Sequence, residues 1–430
     1  MKFALQNIGK IKSADLLLKG ITVIAGDNNT GKTTVGRALY SFLNSLYNID
    51  GEVAGQRHAQ AFREIRGFFN TYRRPLDWRD RELTSALDNF IEGGDSHRDA
   101  LRRYLLSRFM PLVGESEISR CLERLDAVRS LSNKAIRYQI INNYFEAIFR
   151  GQCVSLRTGV DQGLINAVVD GHEVSMTLSK TQASYSSDIN VQHKAYFVDS
   201  PDLLNSWGSY RYFSGGASLS ASIRNAITRK MEGAEESPAD SAVDDLFFAD
   251  KYDQFESEVV KITKGKFEFD DNNILRFNEV LEEDGKSVSF DLNNVSEGLK
   301  SFGVMELLLR YRILREKDVL ILDEPEVHLH PEWQLEYAKL IVTLQKAFNL
   351  RVLITTHSSN FLLALRFYAM ILGRSDKLTS YRIKHDPENV RYSILRADDP
   401  YDWDDVYLSF VQATQKLGKL HAEAFPEKGD

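Results

Sequence analysis

The chain has 430 residues, 43% of them hydrophobic, enough for a sizeable core and for two or three domains. Its 54 basic and 61 acidic residues give a formal net charge of −7, which excludes a nucleic-acid polycation while leaving local patches open. Cys121 and Cys153 form no CxxC pair, Met1 to Lys10 contains no signal-like apolar core, and no window reaches the roughly 18 uncharged apolar residues of a membrane helix, so the expectation is a cytoplasmic protein with no membrane contact.

Residues 1 to about 48 read as strand, strand, loop, helix. Ile21, Val23 and Ile24 form a β-branched apolar run that feeds GDNNTGKTT at 26–34, and Val35, Ala38, Leu39 and Phe42 follow at helical spacing. Gly26-x-x-x-x-Gly31-Lys32-Thr33 therefore lies between a strand and a helix, the setting a phosphate-binding P-loop requires. The glycines let successive N–H groups turn toward one anion, and the helix adds the positive end of its dipole. The predicted nucleotide-binding set is Gly26, Asn28, Asn29, Thr30, Gly31, Lys32, Thr33 and Thr34. Lys32 is expected at the β- and γ-phosphates, Thr33 on Mg²⁺ and Thr34 at the α-phosphate.

From about 55 to 150 the sequence is helical and charged, as in Ala59–Phe69, Leu101–Phe109 and Ile118–Leu131, with breaks at Pro75 and Pro111. No heptad persists long enough for a coiled-coil arm. Strands are expected at Val154–Leu156 and Ala195–Val198, then an acidic loop over Glu232–Asp245. An antiparallel meander follows, with strands Phe267–Phe269, Leu275–Phe277 and Val288–Leu292 separated by turns at Asp270–Asn273 and Glu283–Lys286.

In DVLILDEPEVHLHPEWQ at 318–334, Val319–Leu322 has the continuous apolar pattern of a strand buried on both faces, with its carboxylates emerging at the edge where such sheets bind ligands. Asp323 is expected to hold the Mg²⁺ shell, and Glu324 to orient and polarise the attacking water. Pro331 starts a helix, and His328 and His330 are read as its approach rather than as metal ligands. Upstream, NNVSEGLKSFGVMELLL at 293–309 resembles the signature of ABC-type ATPases, with Ser296 and Gly298 at a helix N-terminus. Downstream, RVLITTHSSNF at 351–361 is a buried strand ending in His357, which resembles the switch histidine of those enzymes.

The order of P-loop, SEGLKSF, DEPEVHLHPEWQ and TTHSSNF resembles the ATPase domain of the OLD (overcoming lysogenization defect) family, kin to SMC-like and ABC ATPases. The resemblance covers the first 50 residues and roughly 290 to 420. It implies an α/β fold: an ABC-type P-loop ATPase head with a mostly parallel sheet, an antiparallel β subdomain and a helical insertion. The expected divisions are 1–54, 55–150, 151–292 and 293–430. ATP and Mg²⁺ are the implied ligands; Lys32, Thr33, Ser296, Gly298, Asp323, Glu324 and His357 are the nucleotide constellation, with Glu324 and His357 catalytic and Thr33 and Asp323 on the metal. A Q-loop glutamine is also implied, and Gln182 and Gln192 both stand as candidates.

The chain departs from OLD nucleases in having no recognisable Toprim domain. The acidic cluster Asp398, Asp399, Asp402, Asp404 and Asp405 lacks the strand–helix repeat around it and is read as a solvated loop. What remains resembles the stand-alone ATPase subunits of bacterial anti-phage systems of Septu or PARIS type. That resemblance implies a homodimer or higher homo-oligomer whose ATP-driven head pairing controls a separate nuclease or toxin. A DNA-repair-type ATPase acting directly on nucleic acid, and a nucleotide-gated scaffold, are the alternative readings.

Overall fold

The computed structural model describes all residues except 73–79, 94–96, 110–112, 158, 181, 187–188, 206, 208–218, 233–237, 282–285, 387–390, 398–415, 417–418 and 421–430. The chain forms two compact units, one comprising Met1–Asn44 and Asn143–Asp430, the other Ser45–Asn142. Pro75, Pro111 and the cluster Asp398–Asp405 fall outside the described residues.

The first unit is built on one eleven-stranded sheet. Three strands, not two, precede the P-loop: β1 (Lys2–Ile8), β2 (Ile11–Leu17) and β3 (Ile21–Ala25). After the second unit come β4 (Gly163–Val169), β5 (His172–Leu178), β6 (Ala183–Tyr185) and β7 (Ala195–Val198). The remaining strands are β11 (Val319–Asp323), β12 (Arg351–Thr356), β13 (Leu378–Asp386) and β14 (Arg391–Arg396). Their spatial order is β6-β5-β4-β1-β2-β14-β13-β3-β12-β11-β7. The run β13-β3-β12-β11-β7 is parallel throughout, whereas β6-β5-β4-β1-β2 is antiparallel. The sequence accounts for this division. β11 is apolar at every position but its last and β3 at every position but Thr22, and all of β3 is buried, as strands covered on both faces must be. β4 instead alternates buried and accessible residues.

Helices cover the parallel half: α1 (Lys32–Leu46), α9 (Glu297–Arg310), α10 (Pro331–Phe348) and α11 (Ser359–Ile371). Gly36 lets α1 lie close on the sheet, because a Cβ there would come within 2.9 Å of the Phe197 ring and 3.0 Å of Ile321. The expected meander is a separate three-stranded antiparallel sheet of β8 (Gly265–Phe269), β9 (Leu275–Val280) and β10 (Ser287–Asp291). Phe267 from β8 is buried against Gly303 of α9.

Two local expectations fail. Val154 makes only an isolated bridge to Ile8, not a strand; the short run is pinned to the end of β1 by Gly9 N–H to the Cys153 carbonyl and Ser155 N–H to the Asn7 carbonyl, and extends no ladder. The acidic segment is not loop over its second half, since α8 (Pro238–Thr263) begins inside it. Proline is preorganised for a first helical turn, which lets a helix begin within an acidic segment.

The second unit is helical: α2 (Ile49–Thr71), α3 (Arg81–Gly93), α4 (Arg98–Phe109), α5 (Glu115–Ser130) and the first part of α6 (Asn133–Phe149). Its core comes from helical spacings, Ala61/Ile65/Phe69, Leu83/Leu87/Phe90 and Ile118/Leu122/Leu125, all buried.

Candidate active site

The carboxyl ends of β3, β12 and β11 are adjacent, and each delivers polar residues to the same edge. The P-loop leaves β3 with Asn29 at φ +64° and Gly31 at φ +97°. Gly31 meets both of its requirements, a left-handed backbone and no side chain, because an added Cβ would lie 2.8 Å from Ile11 Cδ1. Asn29 is clasped by the Lys10 ammonium from the β1–β2 turn, and Thr30 Oγ1 donates to the Asp27 carbonyl at 2.8 Å. Asn28 is exposed at the loop's tip, while Thr34 packs its methyl against Gly9.

Lys32 is 3% exposed, and three oxygens surround its ammonium. Its ammonium donates to the carbonyls of Gly26 at 2.9 Å and Asp27 at 2.8 Å, and lies 3.2 Å from Glu324 Oε1. The neighbouring Thr33 hydroxyl bonds Asp323 at 2.7 Å to Oδ2 and 3.0 Å to Oδ1. Burial raises the Asp323 carboxyl above its ordinary range, opposed by hydrogen bonds from Thr355 and Thr33.

Glu324 has φ +49°. A non-glycine residue in this left-handed region costs about 1–2 kcal/mol, and such strain persists where surrounding structure holds it. Here its N–H is held by the Thr355 carbonyl at 3.0 Å and the Thr355 hydroxyl at 3.1 Å. The turn sends the carboxylate back over the edge, with Oε1 at Lys32 and Oε2 3.4 Å from His357 Nδ1. Beside these residues is a cavity of about 160 Å³, lined among others by Asp199, Ser200, Ser301, Asp323, Glu324 and His328.

Four residues that the sequence reading passed over contribute to this edge. Thr355 Oγ1 donates to Asp323 Oδ1 at 2.5 Å, and Thr356 Oγ1 to the buried Glu326 at 2.6 Å. Asp199 and Ser200 follow β7, directly beside β11. The paired threonines stand in the quoted TTHSS stretch, where two hydroxyls ending an apolar strand are the available signal. The two glutamine candidates do not reach this edge by their position in the sheet: Gln192 precedes the amino end of β7, and Gln182 precedes β6, the outer strand at the opposite side.

Ser296 caps α9, its hydroxyl accepting from Leu299 N–H at 3.4 Å, and it is exposed. Gly298 is buried against its own chain: a Cβ would lie 2.7 Å from the His328 carbonyl oxygen. His330 caps α10 through Nδ1, which accepts from Glu332 N–H at 3.4 Å, with Pro331 at the first helical position. Among the described residues no group of three His, Cys, Asp or Glu side chains is arranged to hold a metal by itself. The Thr33 hydroxyl and the Asp323 carboxylate nevertheless suit the partial, oxygen-only set that Mg²⁺ accepts alongside phosphate oxygens.

Residues 186–364 match the family model described as "AAA domain, putative AbiEii toxin, Type IV TA system". The matched span contains Ser296, Asp323, Glu324 and His357. No curated protein matches the chain. Among solved structures, an SMC head bound to the C-terminal winged-helix domain of ScpA is 10% identical, covering 92% of this chain and 96% of that one, with a TM-score of 0.45. The SMC head domain from Thermotoga maritima is 11% identical, covering 93% and 98%, with a TM-score of 0.37. An SMC head with an extended coiled coil, bound to the C-terminal domain of ScpA derived from Pyrococcus furiosus, is 10% identical, covering 98% of each chain, with a TM-score of 0.39. The family match and the strand–loop–helix geometry described above agree on an α/β P-loop ATPase fold. Among the described residues, no helix is long and apolar enough to cross a membrane.

Proposed function

We propose that this chain binds ATP with Mg²⁺ and hydrolyses it, and that two copies pair across the nucleotide to control a separate effector, a nuclease or toxin, in anti-phage defence. The observation that carries the hydrolytic part is the convergence of Lys32, Thr33, Asp323, Glu324 and His357 at one sheet edge, Thr33 bonded to Asp323, and Glu324 at ion-pair distance from both Lys32 and His357. Lys32 would exchange its carbonyl and Glu324 partners for the β- and γ-phosphates. Released from Lys32, Glu324 would accept a hydrogen bond from the attacking water and draw its proton as the water oxygen bonds to the γ-phosphorus and the bond from that phosphorus to the bridging oxygen breaks, with ADP leaving. Thr33 and Asp323 would hold Mg²⁺, which when bound neutralises charge on the phosphate oxygens. His357 would stand at the γ-phosphate. The presence of Glu324 weighs against a purely scaffolding reading.

Pairing of two copies rests on Ser296, an exposed hydroxyl at the N-terminus of a fourteen-residue helix, which would complete the partner's site as an anion-binding helix end. Because Gly298 packs against His328, a bulky residue there would disturb the fold; Ser296 is the cleaner position to alter. Lys32→Ala and Ser296→Arg should each abolish steady-state phosphate release, yet mixing them should restore part of it, since one of the two sites in a mixed dimer keeps both intact faces. No recovery in a mixture proven to contain mixed dimers would overturn the shared-site reading. Glu324→Gln should retain ATP and slow turnover by about 10²–10⁴-fold, the range for a positioned general base. Wild-type turnover in that variant would move the base elsewhere.

A further inference from the structure

Glu326 lies two residues beyond the proposed base and is 2% exposed. Its backbone is fixed by the Leu329 N–H at 3.0 Å and the Gln334 side-chain amide at 3.4 Å, both donating to its carbonyl. Its Oε1 accepts from the Thr356 hydroxyl at 2.6 Å and from the His357 backbone N–H at 3.1 Å, and stands 3.7 Å from His357 Nδ1. Two buried atoms meet here without a hydrogen-bond partner among the described residues, Glu326 Oε2 and His357 Nδ1. Burial pushes the Glu326 carboxyl upward. A buried carboxylate left half-satisfied is costly, and a plain strand-to-turn staple would be served by an amide.

The imidazole thus has two carboxylates on its Nδ1 side. Glu324 is partly exposed, already shared with Lys32, and committed to the attacking water under the proposed hydrolysis. Glu326 is committed to nothing else in that chemistry. Nδ1 stands 3.7 Å from its Oε1, and closing that distance would engage Nδ1–H there and leave Nε2 as the nitrogen not so engaged. Free neutral imidazole has no such constraint; the hydrogen bond made by one ring nitrogen determines what the other presents.

We propose that Glu326 is the positioning residue of His357, holding Nδ1–H inward so that Nε2 faces the γ-phosphate, to which it donates a hydrogen bond when the ring carries its second proton. This rests on the ATPase reading for its consequence, but not for its geometry. It also ties the turn that carries Glu324 to the strand end that carries His357, so that the two would move as one piece.

The test is Glu326→Gln in the full chain, which keeps an oxygen for Thr356 and His357 N–H while removing the charge. Turnover should fall about 10–100-fold, as for loss of a supporting carboxylate, with KM for ATP within twofold and the thermal midpoint unchanged or raised. In a His357→Ala background the same substitution should add nothing. Nitrogen-15 shifts at pH 8.5, assigned by comparison with a His357→Gln sample, should show His357 as the Nδ1–H tautomer in the wild type and a shift toward Nε2–H in Glu326→Gln. An Nε2–H tautomer in the wild type, a wild-type turnover in Glu326→Gln, or additive losses in the double variant would each overturn the assignment. The tautomer is readable even if the wild type hydrolyses no ATP, so a failure of the ATPase reading is distinguishable from a failure of this one.

Discussion

The helical unit and the carboxyl edge of the large sheet handle charge in opposite ways. In the former, some ion pairs ride on the outside: Arg124–Glu64 spans 3.9 Å with side chains 74% and 35% exposed, and Arg120–Glu117 is similar. The apolar core beneath them contains no charged residue. At the sheet edge, Lys32 and Glu326 are almost wholly buried, Glu324 is drawn toward Lys32, and Asp323 is held by the Thr33 hydroxyl. Exposed pairs are worth about 0–1 kcal/mol because water and salt screen them. Buried charge costs several kcal/mol unless neighbours compensate it. Stability in the helical unit should therefore come from its core, and the sheet edge should be maintained for chemistry.

The most severe way to probe this contrast is Phe90→Ala, which removes a fully buried ring from the helical core and should cost about 3–5 kcal/mol. Hydrogen exchange should then accelerate across α3 and α5 while β11 and β12 stay protected; uniform acceleration would show the two units to be energetically one.

An intermediate effect is expected at Glu306, a fully buried acid in α9. Its Oε1 accepts from Phe267 N–H at 3.1 Å and from Arg310, while Oε2 has no partner among the described residues and can carry a proton without breaking a bond. Burial pushes this carboxyl up to about 7. Between about pH 4.5 and 7 the folded chain then holds a proton that the unfolded chain has released, so this group's contribution is full at low pH and is lost as pH rises through that window. Glu306→Gln should gain thermal stability relative to wild type on going from pH 5 to pH 8. A difference that stays constant, or reverses, would mean the acid is ionised in the fold. Smallest of all should be Arg124→Ala, a change within about 0.5 kcal/mol by denaturant unfolding; a loss above 2 kcal/mol would put the helical surface on the same footing as the sheet edge.

Legibility in the sequence followed the same division. The parallel strands could be read because burial on both faces leaves an apolar run ending abruptly in polar residues, as at Leu322–Asp323 and Ile354–Thr355. The meander could be read from its turn at Asp270–Asn273, where the Asn273 N–H donates to the Asp270 carbonyl at 2.8 Å; of the second expected turn, Glu283–Lys286, all but Lys286 falls outside the described residues. The onset of α8 could not, because the composition of Glu232–Asp245 favours loop while Pro238 begins a helix. Thr355, Thr356 and Glu326 were equally hidden: each acts through a neighbour 30 or so positions away, as in Thr356–Glu326, where the separation is 30. A linear motif displays the residues it contains, not the strand pairing that sets two of them face to face.

The left-handed backbone at Glu324 has a consequence for how such a chain drifts under mutation. Glycine adopts that conformation without the steric penalty of about 1–2 kcal/mol borne by other residues, so Glu324→Gly should relax the turn at the same stroke that deletes the carboxylate. Loss of activity and relief of strain then lie along a single substitution, and a lineage released from selection for turnover would meet no stability barrier at this position.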